Sequence, residues 1–314
     1  MKKLAVLLLI FAVGTTGSIA ALASAFSLPE KNMPDFTGSV PVSTQEETVN
    51  GPSETDTANY TIITPIETAA NTETVQDEIY YKMLNSVDYF STAKVSFSAL
   101  FPGFETVQDY TIETDLNTGV AHQTCSDYFL KTNKDTSAVY ETYSDGRTIR
   151  EYDNAAYTSR FVSAAEERHS LAEEWGDSER YYIDENNESH YRYRSNPTNA
   201  DMAGECLFPQ VSAFAYLADK SLWDVSGVVT YCGRECYAVA GLVRESYAEQ
   251  IGAETFTMYV DKETGILLML EACDATGKVV SSMVVSEIAI DVPVTQKYDM
   301  SRYSGYTAYI TFHR

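Results

Sequence analysis

The chain has 314 residues, with 22 basic against 45 acidic side chains and a net charge of −23. Hydrophobic residues make up 44% and charged residues 21%, a balance that supports a buried core. The excess of anions excludes binding to nucleic-acid phosphates and disfavours an anionic membrane surface.

The chain opens with an export pattern. Lys2 and Lys3 precede an apolar run over residues 4–13, followed by the small-residue triplets Ala21-Leu22-Ala23 and Ala23-Ser24-Ala25. That is the order of a secretory signal peptide. Residues 4–26 also carry no charge, and about 20 apolar residues suffice to span a bilayer. The alternative is therefore an uncleaved anchor, a membrane tether with its positive end in the cytoplasm. Gly14, Gly17 and the Thr15-Thr16 pair favour cleavage. Either way residues 1–26 place the rest outside the cytoplasm, secreted or held at the outer face of the membrane. Residues 27–72 are rich in Thr, Ser, Glu and Pro and keep neither the helical nor the strand period. They read as a disordered acidic linker, extended by its own charge.

Residues 73–314 form the expected folded domain, long enough for a single core. Val75, Ile79, Met83, Val87 and Phe90 recur at helical spacing and predict an amphipathic helix over 73–90. The period then becomes two. Strands are expected at 107–114, 120–130, 138–144, 147–153, 228–232, 235–243, 255–261, 266–273 and 278–291. Their boundaries come from turn chemistry: Asp115-Leu-Asn-Thr-Gly119, Ser144-Asp-Gly146, Asp261-Lys-Glu-Thr-Gly265 and Asp274-Ala-Thr-Gly277. A helical insertion is expected over 162–220, with helices at 162–175 and 209–220 around a polar hairpin near Asn186-Asn187. Residues 298–314 are a candidate edge strand.

This order resembles the half-barrel of the LolA and RseB/MucB lipoprotein-carrier superfamily. The stretch Gly233-Arg-Glu-Cys-Tyr-Ala-Val-Ala-Gly241 enters a strand after a turn. It is followed by Phe256-Thr-Met-Tyr-Val-Asp-Lys-Glu-Thr-Gly-Ile-Leu-Leu-Met-Leu-Glu271 and by the segment beginning at Asp274. The resemblance covers residues 73–292 and implies an α+β fold. Its strongly curved antiparallel sheet is closed on the concave side by an N-terminal helix and a helical insertion. It also implies a site for an acyl chain or hydrophobic peptide, and, in RseB-like relatives, sensing of envelope state through an anti-sigma factor. The acidic linker and the possible tether depart from a soluble shuttle and favour sensing or stationary binding.

Incomplete plugging of a curved sheet leaves an apolar pocket. The expected lining is Tyr110, Ile112, Met258, Leu268 and Leu270 on strands, with Phe214 and Leu217 on the insertion. Taken singly, each is an ordinary core position. No zinc-protease, nucleophile-elbow, Walker or dinucleotide motif is present in the sequence. Glu166 and His169 stand three apart without the second pair a di-iron bundle needs, and His122 and His190 have no ligand-spaced neighbours in sequence. No cofactor or metal is expected. Five Cys leave an odd thiol, with Cys232 and Cys236 either a hairpin disulfide or free. The expectation is a non-enzymatic extracytoplasmic binding protein for a lipid-like or hydrophobic ligand or a lipoprotein-type envelope partner. The alternatives are a surface module with a filled core and a Tyr-rich face for protein or glycan, and a carboxylate hydrolase.

Overall fold

The computed structural model describes residues 72–103, 107–127, 138–146, 149–153, 158–162, 168–176, 178–185, 188–198, 200–299 and 301–310. The export segment and the linker through residue 71 lie outside them. Among the described residues no helix is long and apolar enough to cross a membrane. Helix α1 (Thr72–Leu84) buries Ile79, Met83 and Leu84 on one face, and a 3-10 turn, Ser86–Asp88, ends it with Val87 and Phe90 buried. The helical spacing in the sequence thus becomes one apolar stripe.

The chain then enters β1 (Thr92–Leu100), where Ala93, Val95, Phe97 and Ala99 are buried in alternation with more polar neighbours. It continues through β2 (Gln108–Asp115), β3 (Val120–Asp127), β4 (Ala138–Asp145), β5 (Ile149–Asp153) and β6 (Thr158–Val162). A short two-stranded sheet, β7 (Tyr181–Ile183) and β8 (Ser189–Tyr191), stands apart. The main sheet resumes with β9 (Trp223–Tyr231), β10 (Arg234–Leu242), β11 (Thr255–Asp261), β12 (Leu267–Cys273) and β13 (Val279–Ile290), and ends in β14 (Thr307–Ile310). Strands β1 and β6 add to those expected from the turns.

Among the described residues, twelve strands lie in the order β14-β6-β5-β4-β3-β2-β1-β13-β12-β11-β10-β9. Two meanders meet where β1 pairs antiparallel with β13, and of these strands only β14 runs parallel to its neighbour, β6. The sheet is curved and not closed, with β14 and β9 as its edges. Bulges at Ser96/Phe97, Ala238/Val239, Tyr259/Val260 and Ala272/Cys273 bend it. Open sheets of more than about ten strands seldom stay flat.

The expected turns form by the expected chemistry. Asp115 Oδ1 accepts from Asn117 N at 2.9 Å, and Asp261 Oδ1 accepts from Thr264 N at 2.8 Å. Asp274 Oδ1 accepts from Thr276 N at 2.8 Å. Gly265 has a φ of +75°, and a Cβ there would fall on the Lys82 backbone of α1. Glycine therefore lets the β11–β12 turn and the helix approach each other.

The insertion is less helical than expected. Val162 belongs to β6, residues 163–167 (Glu166 among them) lie outside the description, and α2 spans only Leu171–Glu174. Ser170 and Glu173 form a reciprocal capping box that starts this helix at Leu171, so His169 stays exposed before it. A short helix, α3 (Ala203–Cys206), comes first, and the helix expected over 209–220 is present but shorter: α4 (Gln210–Ser212) runs without a break into a π-helical turn, Ala213–Leu217. Helix α5 (Glu245–Ile251) joins β10 to β11 and closes on Gly252 at φ +74°. Cys232 and Cys236 do not face each other. Cys232 occupies the β9–β10 turn at φ +48°, Cys236 pairs with Val229, and neither thiol is in a disulfide.

Candidate functional site

One face of the sheet carries a continuous apolar ribbon. Register places Val239 beside Met258, Met258 beside Leu270, Leu270 beside Met283, and Met283 beside Ala99. On the next rung Val285 meets Phe97, Phe97 meets Tyr110, and Val95 meets Ile112. The Phe97 and Tyr110 rings stack with centroids 5.0 Å apart. The insertion lies over this face. Gln123 on β3 accepts from Met202 N at 3.0 Å, Ser86 donates to Leu207 O at 2.7 Å, and Phe208 stacks on Phe90. Trp223 Nε1 donates to Leu217 O at 3.1 Å, anchoring the far end.

The seven residues expected to line a pocket all join one buried cluster: Tyr110, Ile112, Met258, Leu268 and Leu270 on the sheet, Phe214 and Leu217 on the π-helical turn. None is more than 6% exposed. They are brought together as the spacing implied, and they are packed among other side chains.

Phe214 also belongs to a second arrangement. Around it stand Tyr191 at 5.1 Å, Tyr193 at 5.2 Å and Tyr80 at 6.4 Å between centroids, each edge-on. Tyr181 stacks on Tyr191 at 5.2 Å. Beyond Phe214, Tyr216 contacts Phe256 at 5.0 Å and Tyr247 at 5.3 Å. This wall draws on α1, the β7–β8 hairpin and the irregular segment leaving it, the π-helical turn, α5 and β11. π-helical turns recur at functional sites because they re-aim side chains within a helix.

Among the described residues, three buried polar atoms of the wall have no hydrogen-bond partner: the hydroxyls of Tyr80 and Tyr216, and Arg244 Nε. The Tyr216 hydroxyl lies beside Tyr247 without reaching hydrogen-bond geometry, on a residue only 3% exposed. Arg244 Nη2 donates to Tyr191 Oη at 3.0 Å. Burial pushes the Tyr193 hydroxyl up to about 12 and the buried carboxyl of Glu205, a residue otherwise partly exposed, up to about 7. Glu205 acts electrostatically on both Tyr216 and Tyr247. Such unpaired groups are rare in folded proteins and call for an explanation.

Two arginines hold the wall in place. Arg180 donates to Leu84 O, Asn85 Oδ1, Gln210 Oε1 and Arg192 O, and burial, reinforced by Arg194, brings its guanidinium down to about 10. Arg194 pairs with Asp88 and with Glu174 at 2.7 Å, and Gln210 bonds its backbone from both sides. The polar loop is thereby fastened to the end of α1.

His190 does acquire neighbours that its position in sequence hid: with Asp184 and Glu188 it places three ligand atoms within 4.8 Å of one another. His190 Nε2 and Asp184 Oδ2 are 2.9 Å apart across the hairpin, and Glu188 N donates to Asp184 Oδ1. His122 pairs with Glu141 on the opposite face of the main sheet. Tyr191, Tyr193, Glu205, Arg244 and Tyr247 were not singled out by sequence. The only signal was the density of tyrosine between 181 and 193; the rest come from separate segments.

No family model matches the sequence, and no curated protein matches it. Solved structures similar to it in fold include a conserved protein of Thermus thermophilus, at 9% identity and a TM-score of 0.38 over 76% of this chain and 99% of that one. LprF from Mycobacterium bovis is similar at 10% identity and a TM-score of 0.37, over 72% of this chain and 97% of that one. MucB in the Pseudomonas aeruginosa MucA/MucB complex is similar at 12% identity and a TM-score of 0.35 over 72% of this chain. The chain spans 60% of the length of that MucB chain. These likenesses concern the fold alone.

Proposed function

We propose that the protein is an extracytoplasmic binding protein that holds a hydrophobic ligand, or an apolar segment of an envelope partner, between the ribbon and the helical insertion. Export and tethering through residues 1–72 complete this reading. The observation that carries it is the cover itself. A ribbon crossing β10 to β2 is roofed by the four-residue α3 and by one short helical stretch, 210–217, most of it π-helical, in place of a long helix or a second sheet. Short helices hold little by their own hydrogen bonds and depend on packing, so such a roof can yield to a guest. Met83, Met258 and Met283, all buried in the cluster, add side chains that repack readily.

The test is native mass spectrometry on protein exported by its host, with titration of the neutral probe N-phenyl-1-naphthylamine. The expected outcome is a co-purifying hydrophobe and saturable probe binding that the hydrophobe competes away. Finding neither overturns the reading.

A further inference from the structure

The aromatic wall beside the ribbon is more polar than an acyl chain requires. Hydrocarbon needs no hydrogen bonds, yet two tyrosine hydroxyls and a guanidinium N–H are buried there without partners among the described residues. Burying a polar group unpaired forfeits its bonds to water, a cost that a ligand supplying the missing partners would remove. The groups are mixed in kind: hydroxyls that donate and accept at Tyr80 and Tyr216, and a donor at Arg244 Nε. A chain of neighbours joins them, from Tyr80 to Arg244 and Tyr191, on to Tyr193 and Tyr247, and from Tyr247 to Tyr216 and Glu205. Tyr216 lies deepest, while Tyr80, Tyr191, Tyr193, Glu205, Arg244 and Tyr247 are each partly exposed, so the cluster reaches from core to surface.

Charge narrows the choice of ligand. Arg180 spends its guanidinium on four protein acceptors, which leaves Arg244 as the cation bordering the orphan atoms among the described residues. One arginine in a chain of net charge −23 is a poor anion site. It also repels a quaternary ammonium, which an aromatic cage would otherwise favour. An uncharged ring bearing several hydroxyls suits the set. Its hydroxyls give and take hydrogen bonds at Tyr80, Tyr216 and Arg244, and its C–H faces pack on tyrosine rings. The geometry points to a subsite for a neutral sugar ring on this wall, with Tyr216 and Tyr80 as its buried hydrogen-bonding floor. The inference rests on the binding role above and adds a chemical class of head group to it. The ring's source is either a free glycan or the head of an amphiphile.

Three probes separate the cases by calorimetry on the protein as exported by its host: octyl β-glucoside below its micelle concentration, octanoate, and methyl β-glucoside. Octyl β-glucoside is expected to bind about tenfold tighter than octanoate, the worth of one good buried hydrogen bond. Tyr216→Phe and Tyr80→Phe should each erase that difference while leaving octanoate binding unchanged. Tyr216→Phe removes an unpaired hydroxyl, so its thermal midpoint should hold or rise, and a loss of sugar binding cannot be ascribed to unfolding. Methyl β-glucoside binding as well as octyl β-glucoside, with the same sensitivity to Tyr216→Phe, identifies a free glycan and supports the subsite. Equal binding of octyl β-glucoside and octanoate, or no response to either Tyr→Phe change, overturns the sugar subsite and leaves the hydrophobic reading standing. Binding of none of the three probes overturns both.

Discussion

The two wings of the sheet are secured in different ways. The wing from β9 to β13 is held by apolar burial: Leu267, Leu268, Met269 and Leu270 are all buried, so β12 is covered on both faces. On the wing from β2 to β5, the opposite face is strapped by the chain's own C-terminal stretch through polar and aromatic contacts. Thr295 N donates to Glu113 Oε1 at 2.6 Å, and Tyr298 Oη to Glu113 Oε2 at 2.9 Å. Gln296 Nε2 donates to Asp115 Oδ2 at 3.0 Å. The Tyr298 ring packs on His122 and Tyr143, and Tyr303 stacks on Tyr152 at 3.9 Å. Glu141, its side chain 2% exposed, pairs with His122 from β3 and Arg302 from the strap. One wing depends on the hydrophobic effect, which is indifferent to pH. The other depends on groups that titrate and on tyrosine faces that a flat sheet would leave to solvent.

Three measurements press on this contrast. The largest effect belongs to the apolar wing: Leu268→Ala should cost about 2–5 kcal/mol in urea unfolding, nearly the same at pH 5 and pH 8. A loss of less than about 1 kcal/mol, below the range for a packed core leucine, would show that wing to be loosely packed.

Next is Glu205, at the boundary between ribbon and wall. Its carboxyl is raised from 4.5 to about 7, so between those values the folded protein holds a proton that the unfolded chain releases. Stability should therefore fall as pH rises from 4.5 to 7, with a ceiling of about 3 kcal/mol. Glu205→Gln should flatten that slope and stabilise the protein at pH 8. An unchanged slope in the variant would place the carboxyl in water.

The smallest effect concerns the strap. Burial raises the Glu141 carboxyl, but hydrogen bonds from His122 and Arg302 outweigh it and leave the group below its ordinary value. Its contribution is present above the unfolded value of 4.5 and is lost as pH falls through the lower folded value. Glu141→Gln should cost about 1 kcal/mol at pH 7, since Arg302 is largely exposed. It should also speed proteolysis within residues 292–306. Equal proteolysis of variant and parent would make the strap independent of this pair.

Local chemistry settled much of the architecture in advance. Asp115, Asp261 and Asp274 place turns through bonds to amides two and three residues away, and the strand boundaries follow to within a residue or two on the β10–β13 side. The buried face of α1 follows from the 3.6-residue period, and much of the apolar ribbon from the two-residue period of β2 and β11. Residues 162–220 resisted because their order comes from outside: Arg180 and Arg194 fix the loop to α1 through Asn85 and Asp88, about a hundred residues upstream. A four-residue helix whose start is set by a capping box carries too little periodicity to be distinguished from a longer one.

What the amino-acid sequence determined by itself was the acidic character, the hairpins and which side chains are oily, because each is a property of a residue or of its near neighbours. Only the tertiary structure decided that β1 joins the two meanders, that β14 runs parallel on the far edge, and that tyrosines from separate elements surround Phe214. Those are meetings of distant segments, and the free energy that selects them comes from burial and pairing across the whole fold, which no short window of the chain contains.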